Sequence, residues 1–353
     1  MSHIVTDIIR EDLKTISNSC SEELNLIVNS HVVLTGASGF VGKWLALSFL
    51  HARRELNGYG LIVLTCRNTK PLRQVLEDAG FTEGYELLES DVRSFPEEVI
   101  QNGSLLIHAA TPASAALNDS NPLEMFDIIM AGQRRLLDLC SKKRSVRFLF
   151  LSSGAVYGSL PMDLVGVPET WLGAPDVTNP SNAYHEAKRA AELLGFTYGS
   201  RKGIDFVSAR LFAFLAPFLP LDEHFAAGNF IRDAIDGTAI VIKSGGGSVR
   251  SYQYATDLCI NLWTLLAKGK SGEAYNVGSD VEVKIKDLAN AIVARVNPRI
   301  PIDVQGIDTP ENVSRYVPSI SKIVRLSGRS NQMSLDQSVD RIVKWIEERT
   351  INE

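Results

Sequence analysis

Twelve residues near the start of the chain, His31-Val-Val-Leu-Thr-Gly-Ala-Ser-Gly-Phe-Val-Gly42, leave few folds open to the remaining sequence. A short apolar, β-branched run of this kind reads as a parallel strand buried on both faces. Glycines come at once after it, and Trp44, Leu45, Leu47 and Leu50 then set a helical rhythm. A strand, a glycine turn and a helix together cradle a pyrophosphate, with backbone N–H groups and the helix N-terminus facing the anion. Gly36, Gly39 and Gly42 permit the tight turn, the close approach of the phosphate and close helix–strand packing. Ser38, Phe40 and Val41 share that loop and are expected at the same cofactor. The spacing is Gly-x-x-Gly-x-x-Gly rather than Gly-x-Gly-x-x-Gly. A glycine turn that binds nothing is the alternative reading.

Four more strands continue the pattern. Residues 61–66 end at Cys66, where a site for NAD usually carries an acidic residue for the ribose hydroxyls, and Arg67 comes next. An arginine suits the 2′-phosphate of NADP, so NADP is the expected cofactor, with NAD possible. Residues 85–89 deliver Asp91 and Val92 towards the adenine. Residues 104–110 end in Ala109 and Ala110, small enough for a cofactor to lie close, with Thr111 beyond them. Residues 147–153 put Ser153 at the C-terminal end of a strand, the edge at which open parallel sheets bind ligands. The alternation of strand and helix to about residue 210 specifies an α/β protein with a Rossmann-type doubly wound parallel sheet and right-handed crossovers.

Ser153 precedes Tyr184-His-Glu-Ala-Lys188 by 31 positions. A tyrosine and a lysine four apart share one helix face. An ammonium at that distance stabilises a phenolate and lowers the tyrosine pKa from its usual value of about 10. The pair can then take a proton from an alcohol or return one to a carbonyl, with a serine hydroxyl on the same oxygen. By itself such a pair is also an ordinary exposed helical contact; the dinucleotide-type loop upstream gives it chemical meaning.

Together these residues resemble the extended short-chain dehydrogenase/reductase family of nucleotide-sugar epimerases, dehydratases, decarboxylases and ketoreductases. The likeness runs from about residue 30 to the C-terminus. It rests on Gly36-Ala-Ser-Gly-Phe-Val-Gly42, Asp91-Val92, Ser152-Ser-Gly-Ala-Val-Tyr-Gly158, Tyr184-His-Glu-Ala-Lys188, Arg210 and Arg250-Ser-Tyr-Gln-Tyr-Ala-Thr-Asp257. Tyr316-Val-Pro-Ser-Ile-Ser-Lys322 and the amphipathic stretch 338–347 look like the family's closing segment. The resemblance implies that Ser153, Tyr184 and Lys188 are catalytic, with Tyr184 and Lys188 also at the cofactor. It implies a nucleoside-diphosphate sugar as substrate, held by Ser153 and by Arg250 on its diphosphate. For Arg250 alone a surface salt bridge is an equal reading.

The departures are as informative. Dehydratases of the family typically carry an Asp-Glu pair directly after the catalytic hydroxyl residue, and decarboxylases a glutamate near there; this chain has Gly154-Ala155. Removing water across a C–C bond needs an acid and a base that neither residue supplies. Ala213 follows Arg210-Leu-Phe where several epimerases keep an asparagine for the substrate. The implied activity is NAD(P)-dependent oxidoreduction at a ring carbon, C4, of a nucleoside-diphosphate sugar, as a 4-ketoreductase or 4-epimerase. A 4,6-dehydratase or decarboxylase is the enzymatic alternative. A catalytically silent NADP-binding regulatory protein is the alternative of another class.

At 353 residues with 45% apolar and 22% charged side chains, the chain has the make-up of a globular enzyme with a sizeable core. A net charge of −5 argues against a nucleic-acid surface. Four scattered cysteines and six histidines make no metal or disulfide spacing, which fits reduced thiols in a cytoplasm. No apolar stretch reaches the ~20 residues of a membrane span, and residues 1–29 lack a signal peptide's apolar core. Those residues read as an N-terminal helical extension, with Ile4, Ile8, Ile9, Leu13 and Ile16 on one face, packing on the domain or a partner; a homodimer is expected. The dinucleotide-binding domain is read as 30–212, rejoined by 251–278. A smaller C-terminal α/β substrate domain is read as 213–250 and 279–353, with Asn229 among the residues lining it, beside Phe225, Phe230 and Ile231.

Overall fold

A computed structural model describes residues 4–111, 115–221 and 226–351; Phe225 lies outside the described residues. Two helices, α1 (Asp7–Ser19) and α2 (Ser21–Asn25), precede the first strand. The chain then runs β1 (His31–Thr35), α3 (Phe40–Glu55), β2 (Leu61–Cys66), α4 (Lys70–Asp78), β3 (Tyr85–Glu89) and β4 (Leu105–His108). It continues through α5 (Ala115–Ser120), α6 (Pro122–Cys140), β5 (Arg147–Ser153), α7 (Ala183–Lys202) and β6 (Asp205–Leu211). Shorter elements come next: β7 (Phe214–Leu215), α8 (Ala226–Ile235), β8 (Ile240–Ile242), β9 (Val249–Arg250), β10 (Gln253–Tyr254) and α9 (Ala255–Lys268). The last are β11 (Glu273–Val277), β12 (Val283–Lys284), α10 (Ile285–Val296), β13 (Ile302–Val304), β14 (Arg315–Tyr316), α11 (Ser321–Ser327) and α12 (Leu335–Ile351).

Seven strands make one parallel sheet in the order β11-β6-β5-β4-β1-β2-β3. This is the doubly wound sheet that the strand–helix alternation predicts. Its order reverses at β1, which pairs with β2 on one side and β4 on the other, so a crevice opens beyond their C-terminal ends. The period of two along each strand divides the interior into two cores. Val32, Leu34, Leu149 and Leu151 face α1, α3 and α9, whereas Val33, Phe148 and Phe150 face α6 and α7. A third core joins β8, α8, α10 and α12.

The N-terminal helices are part of this architecture. Ile8, Ile9, Leu13 and Ile16 of α1 are buried in the same core as Trp44, Trp263 and Trp345. A fully buried side chain of that size contributes about 1.5–3 kcal/mol. One charge accompanies them: Asp12, with no exposed surface, accepts a 2.6 Å hydrogen bond from the Tyr254 hydroxyl, and Arg341 Nη2 lies 2.7 Å from its other oxygen. Asp12 therefore ties α1 to β10 and α12. Glu23 does the same for α2, receiving hydrogen bonds from Lys268 of α9 and from Arg329.

Burial pushes the Asp12 carboxyl up from 3.8 to about 6, against the opposing pull of Arg341 and Tyr254. A carboxyl whose folded pKa lies above its unfolded value binds more protons in the folded state, so its contribution to stability falls as pH rises through that window. The wild type should therefore lose stability relative to Asp12→Asn between about pH 4 and pH 6, as read from paired urea melts. A difference that stays flat or grows with pH would contradict this description of Asp12.

Candidate active site

The glycine loop is shaped by contact with the neighbouring strand end. Gly36 has φ +70°, and a Cβ there would stand 2.5 Å from Ala109 O and 2.7 Å from Ala110 N. A Cβ on Gly42 would collide with Gly36 O and stand 2.7 Å from Ala37 Cα, so helix α3 can pack this tightly on its own loop only with glycine at 42. Gly39 is the N-cap of α3 and makes no side-chain cap, which leaves the N–H groups of the first turn for an anion. Glycines occupy a cradle that a methyl group would fill, and the residues fit a dinucleotide pyrophosphate. The Phe40 ring stacks on Phe214 at 5.3 Å, which turns one face of the side chain to the protein. Ser38 and Val41 are half-buried in the same loop.

Around the crevice, Ala109 and Ala110 leave the ladder to bond Thr35, with Ala109 N donating to its carbonyl and Ala110 N to its hydroxyl. Arg67 is exposed just past β2, and its charge reaches Asp91. Asp91 caps a short turn and accepts three hydrogen bonds from Arg93, through N, Nε and Nη2. These bonds hold its carboxyl below the usual range, Arg93 being the largest cause. Val92 is buried against Gly132, where a Cβ would meet it at 2.5 Å. His108 is buried, with Thr35 Oγ1 2.8 Å from its Nδ1, and burial pushes its pKa down to about 3, so it is a neutral packing group.

On the other side of the crevice, Ser153 ends β5 and Tyr184 lies in the first turn of α7. Asn118 sets the entry of that helix, accepting from Tyr184 N at 3.0 Å and donating to Ser181 O at 2.7 Å. Ser153 Oγ accepts from Ala155 N at 3.1 Å and lies near enough to the Tyr184 hydroxyl to favour its ionised form. One turn on, Lys188 is buried; its Nζ donates to Leu151 O at 2.6 Å and to Thr111 Oγ1 at 2.9 Å. Ser153, Tyr184, Lys188, Thr111 and the glycine loop thus meet at one rim of the sheet.

The electrostatics depart from the expectation set by spacing alone. Four residues of separation predict that Lys188 depresses the Tyr184 pKa; burial instead pushes the phenol up, with Ser153 opposing. The reason is geometric. The ammonium turns towards Leu151 and Thr111, 5.9 Å from the centre of the tyrosine ring. Burial lowers Lys188 itself to about 7, Glu192 resisting. Burial thus favours the protonated phenol at Tyr184.

Behind the hydroxyls lies a buried network. Arg210 clasps Glu192 through Nε and Nη2 and donates to the Tyr157 hydroxyl, which donates to Asn276. It links β6, α7 and β11 beneath the site, and a planar forked cation suits the task. Arg250 lies on β9 and donates to Val249 O, Ser314 O and Ser314 Oγ, so its acceptors are neutral and none is a carboxylate. Burial lowers its pKa while Tyr252 and Tyr316 favour its charge. Asn229 sits on α8, where its side chain accepts from Arg232 at 3.4 Å; among the described contacts nothing joins it to Ser153.

Tyr316 has a place at the site that its sequence position does not signal. Its hydroxyl lies 3.5 Å from Ser153 Oγ and 163 positions away in the chain. A Cβ on Gly154 would stand 2.7 Å from that hydroxyl and 2.6 Å from Phe212 Cζ. The position at which dehydratases would carry an aspartate is therefore filled by two rings from elsewhere. No periodicity or spacing marks such a contact.

The chain is similar to proteins of known fold and family. The family model described as the NAD dependent epimerase/dehydratase family matches residues 32–278. UDP-glucuronic acid decarboxylase 3 of Arabidopsis thaliana is 26% identical over 311 residues, 88% of this chain and 87% of that protein. Among solved structures, an epimerase from Methanothermobacter thermautotrophicus has a TM-score of 0.80 at 19% identity, covering 95% of this chain and 97% of its own. The UDP-glucose 4-epimerase of Thermotoga maritima, solved with UDP-glucose, has a TM-score of 0.76 at 19% identity, covering 91% and 99%.

Gly36→Ala brings a side chain against the Ala109 backbone at a φ that L-residues rarely adopt. It should destabilise the protein by about 1–3 kcal/mol and weaken dinucleotide binding at least tenfold, read by melting temperature and by nicotinamide fluorescence titration. Unchanged binding would contradict the cradle.

Proposed function

We propose that this chain, which belongs to the NAD dependent epimerase/dehydratase family, oxidises or reduces C4 of a nucleoside-diphosphate sugar, as a 4-ketoreductase or 4-epimerase. The observation that carries the reading is the Ser153–Tyr184–Lys188 constellation at the rim beside the glycine loop, with Gly154-Ala155 where a carboxylate would stand. Such a site has proton-moving groups for one sugar oxygen, and among the described residues Gly154 and Ala155 supply none beside a second carbon.

NAD(P) is the family's cofactor; when bound, it supplies or removes the hydride at the ring carbon. Gly36, Gly39, Gly42 and the first turn of α3 would hold its pyrophosphate, and Arg67 a 2′-phosphate, which makes NADP the preferred form. In the reductive direction Tyr184 gives its proton to the C4 oxygen while Ser153 hydrogen-bonds the same atom. Lys188, buried one turn away, offsets the charge left on the phenol. In the oxidative direction the same groups take the proton back. An epimerase runs both in turn, with the 4-keto ring presenting its other face. Arg250, whose partners are all neutral, would bind the diphosphate.

A second reading, decarboxylation of a nucleoside-diphosphate uronic acid, is favoured by the identity to UDP-glucuronic acid decarboxylases across 88% of the chain. It would share the oxidation at C4 and differ in the loss of the C5 carboxyl as CO₂.

Incubation with NADPH or NADH and a panel of nucleotide sugars, including 4-keto forms and uronic acids, separates these readings. Consumption of reduced nicotinamide marks a reductase, interconversion without net consumption an epimerase, and release of CO₂ the decarboxylase. No turnover on any member would contradict the proposal. Tyr184→Phe should lower turnover by about 10²-fold or more while leaving NADPH affinity within a factor of about two. Arg67→Ala should weaken NADPH about tenfold and leave NADH unchanged, measured by fluorescence titration; equal effects on both would remove the preference for NADP.

A further inference from the structure

We propose that Thr111 is a positioning residue for Lys188: its hydroxyl accepts a hydrogen bond from the buried ammonium and ties that cation to the wall of the glycine-loop crevice. The claim rests on the reading of Lys188 as part of the reacting set given above. An ammonium has three N–H bonds to donate. Leu151 O accepts one at 2.6 Å and Thr111 Oγ1 a second at 2.9 Å. Among the described contacts these are its acceptors, and Lys188 is only 3% exposed. A cation so buried keeps its charge only as far as hydrogen bonds and nearby charges replace the lost water. The Leu151 carbonyl belongs to the backbone of β5, so among the described residues Thr111 is the side chain that hydrogen-bonds the ammonium.

Thr111 is itself anchored. Its N–H donates to Ala109 O at 2.9 Å, and the N–H groups of Ala109 and Ala110 donate to Thr35. This is the segment against which Gly36 turns, where a Cβ would stand 2.5 Å from Ala109 O. The hydroxyl therefore joins the cradle to the lysine of the facing helix. The other groups around the ammonium do not hydrogen-bond it among the described contacts. The Phe150 ring of β5 is centred 4.8 Å from Nζ and the Tyr184 ring 5.9 Å. Glu192, one turn further along α7, favours the charge, but its carboxylate is clasped by Arg210. His108 of β4 is neutral, and the Lys188 charge adds to the burial that keeps it so.

The test follows the Lys188 ammonium in the intact protein by 13Cε-lysine NMR, its signal assigned with Lys188→Met. Burial sets the wild-type midpoint at about 7. Thr111→Val keeps the shape and removes the acceptor, and Thr111→Ala removes it with less bulk. Each should lower the midpoint by about one pH unit, a tenfold weaker hold on the proton. Thr111→Ser keeps the hydroxyl and should stay within about 0.3 of a unit of the wild type. Turnover needs the ammonium, so it falls as pH rises through the midpoint. The alkaline limb of the kcat/KM profile, on the nucleotide sugar that the wild type converts, should therefore move down by the same amount in the Val and Ala variants. A midpoint unmoved in both overturns the proposal, as does an equal fall in Thr111→Ser. Weaker NADPH binding with an unmoved midpoint also overturns it, since Thr111 would then be a cofactor contact alone. If the wild type turns over no nucleotide sugar, the functional reading fails by itself, and the NMR midpoints still decide the role of Thr111.

Discussion

Between the C-terminal ends of β1 and β4, two backbones come so close that a methyl group on residue 36 would strike the carbonyl of Ala109. The sheet reverses its strand order at this point, and the reversal creates the crevice. The site depends on it. The left-handed turn at Gly36 directs the chain into α3, Gly42 lets the helix rest on that turn, and the uncapped first turn of α3 faces the gap. Thr35, between the two strands, binds both Ala109 and Ala110 and so fixes the opposite wall.

The facing wall is built around a buried cation. Lys188 sits where burial alone would discharge it, held by Leu151 O, Thr111 and the nearby Glu192. Its ammonium is bound by the Leu151 carbonyl and the Thr111 hydroxyl, and burial favours the protonated form of Tyr184. Behind it the Arg210–Glu192 pair is nearly sealed from water, and loss of one partner of such a pair costs about 3–5 kcal/mol. The pair ties α7 to β6 directly behind Ser153 and Tyr184.

The strand–glycine–helix unit and the five strands from residue 31 to 153 are legible in the sequence because each rests on local pattern, short runs rich in apolar residues with glycine close to their ends. Ser153, Tyr184 and Lys188 are legible because a helical turn and a strand end are short-range geometry. The contacts that distinguish this site are of another kind. Tyr316 reaches Ser153 from a two-residue strand, and Asp12 meets Tyr254 across 242 positions. Neither can be inferred from spacing, since both depend on how small elements dock. The direction of the Tyr184 pKa escapes the sequence for the same reason: four residues of separation place a lysine on the right face but do not say where its ammonium turns.

The central claim is that the site moves protons at one sugar oxygen and, among the described residues, has no second acid–base group for carbon. Turnover in D₂O, followed by mass and NMR analysis of the nucleotide-sugar product, tests it most directly. Reduction or epimerisation at C4 predicts no solvent deuterium bound to carbon. Deuterium at C5 would mean that a carbon is protonated from solvent, as in decarboxylation or dehydration, and would contradict the account.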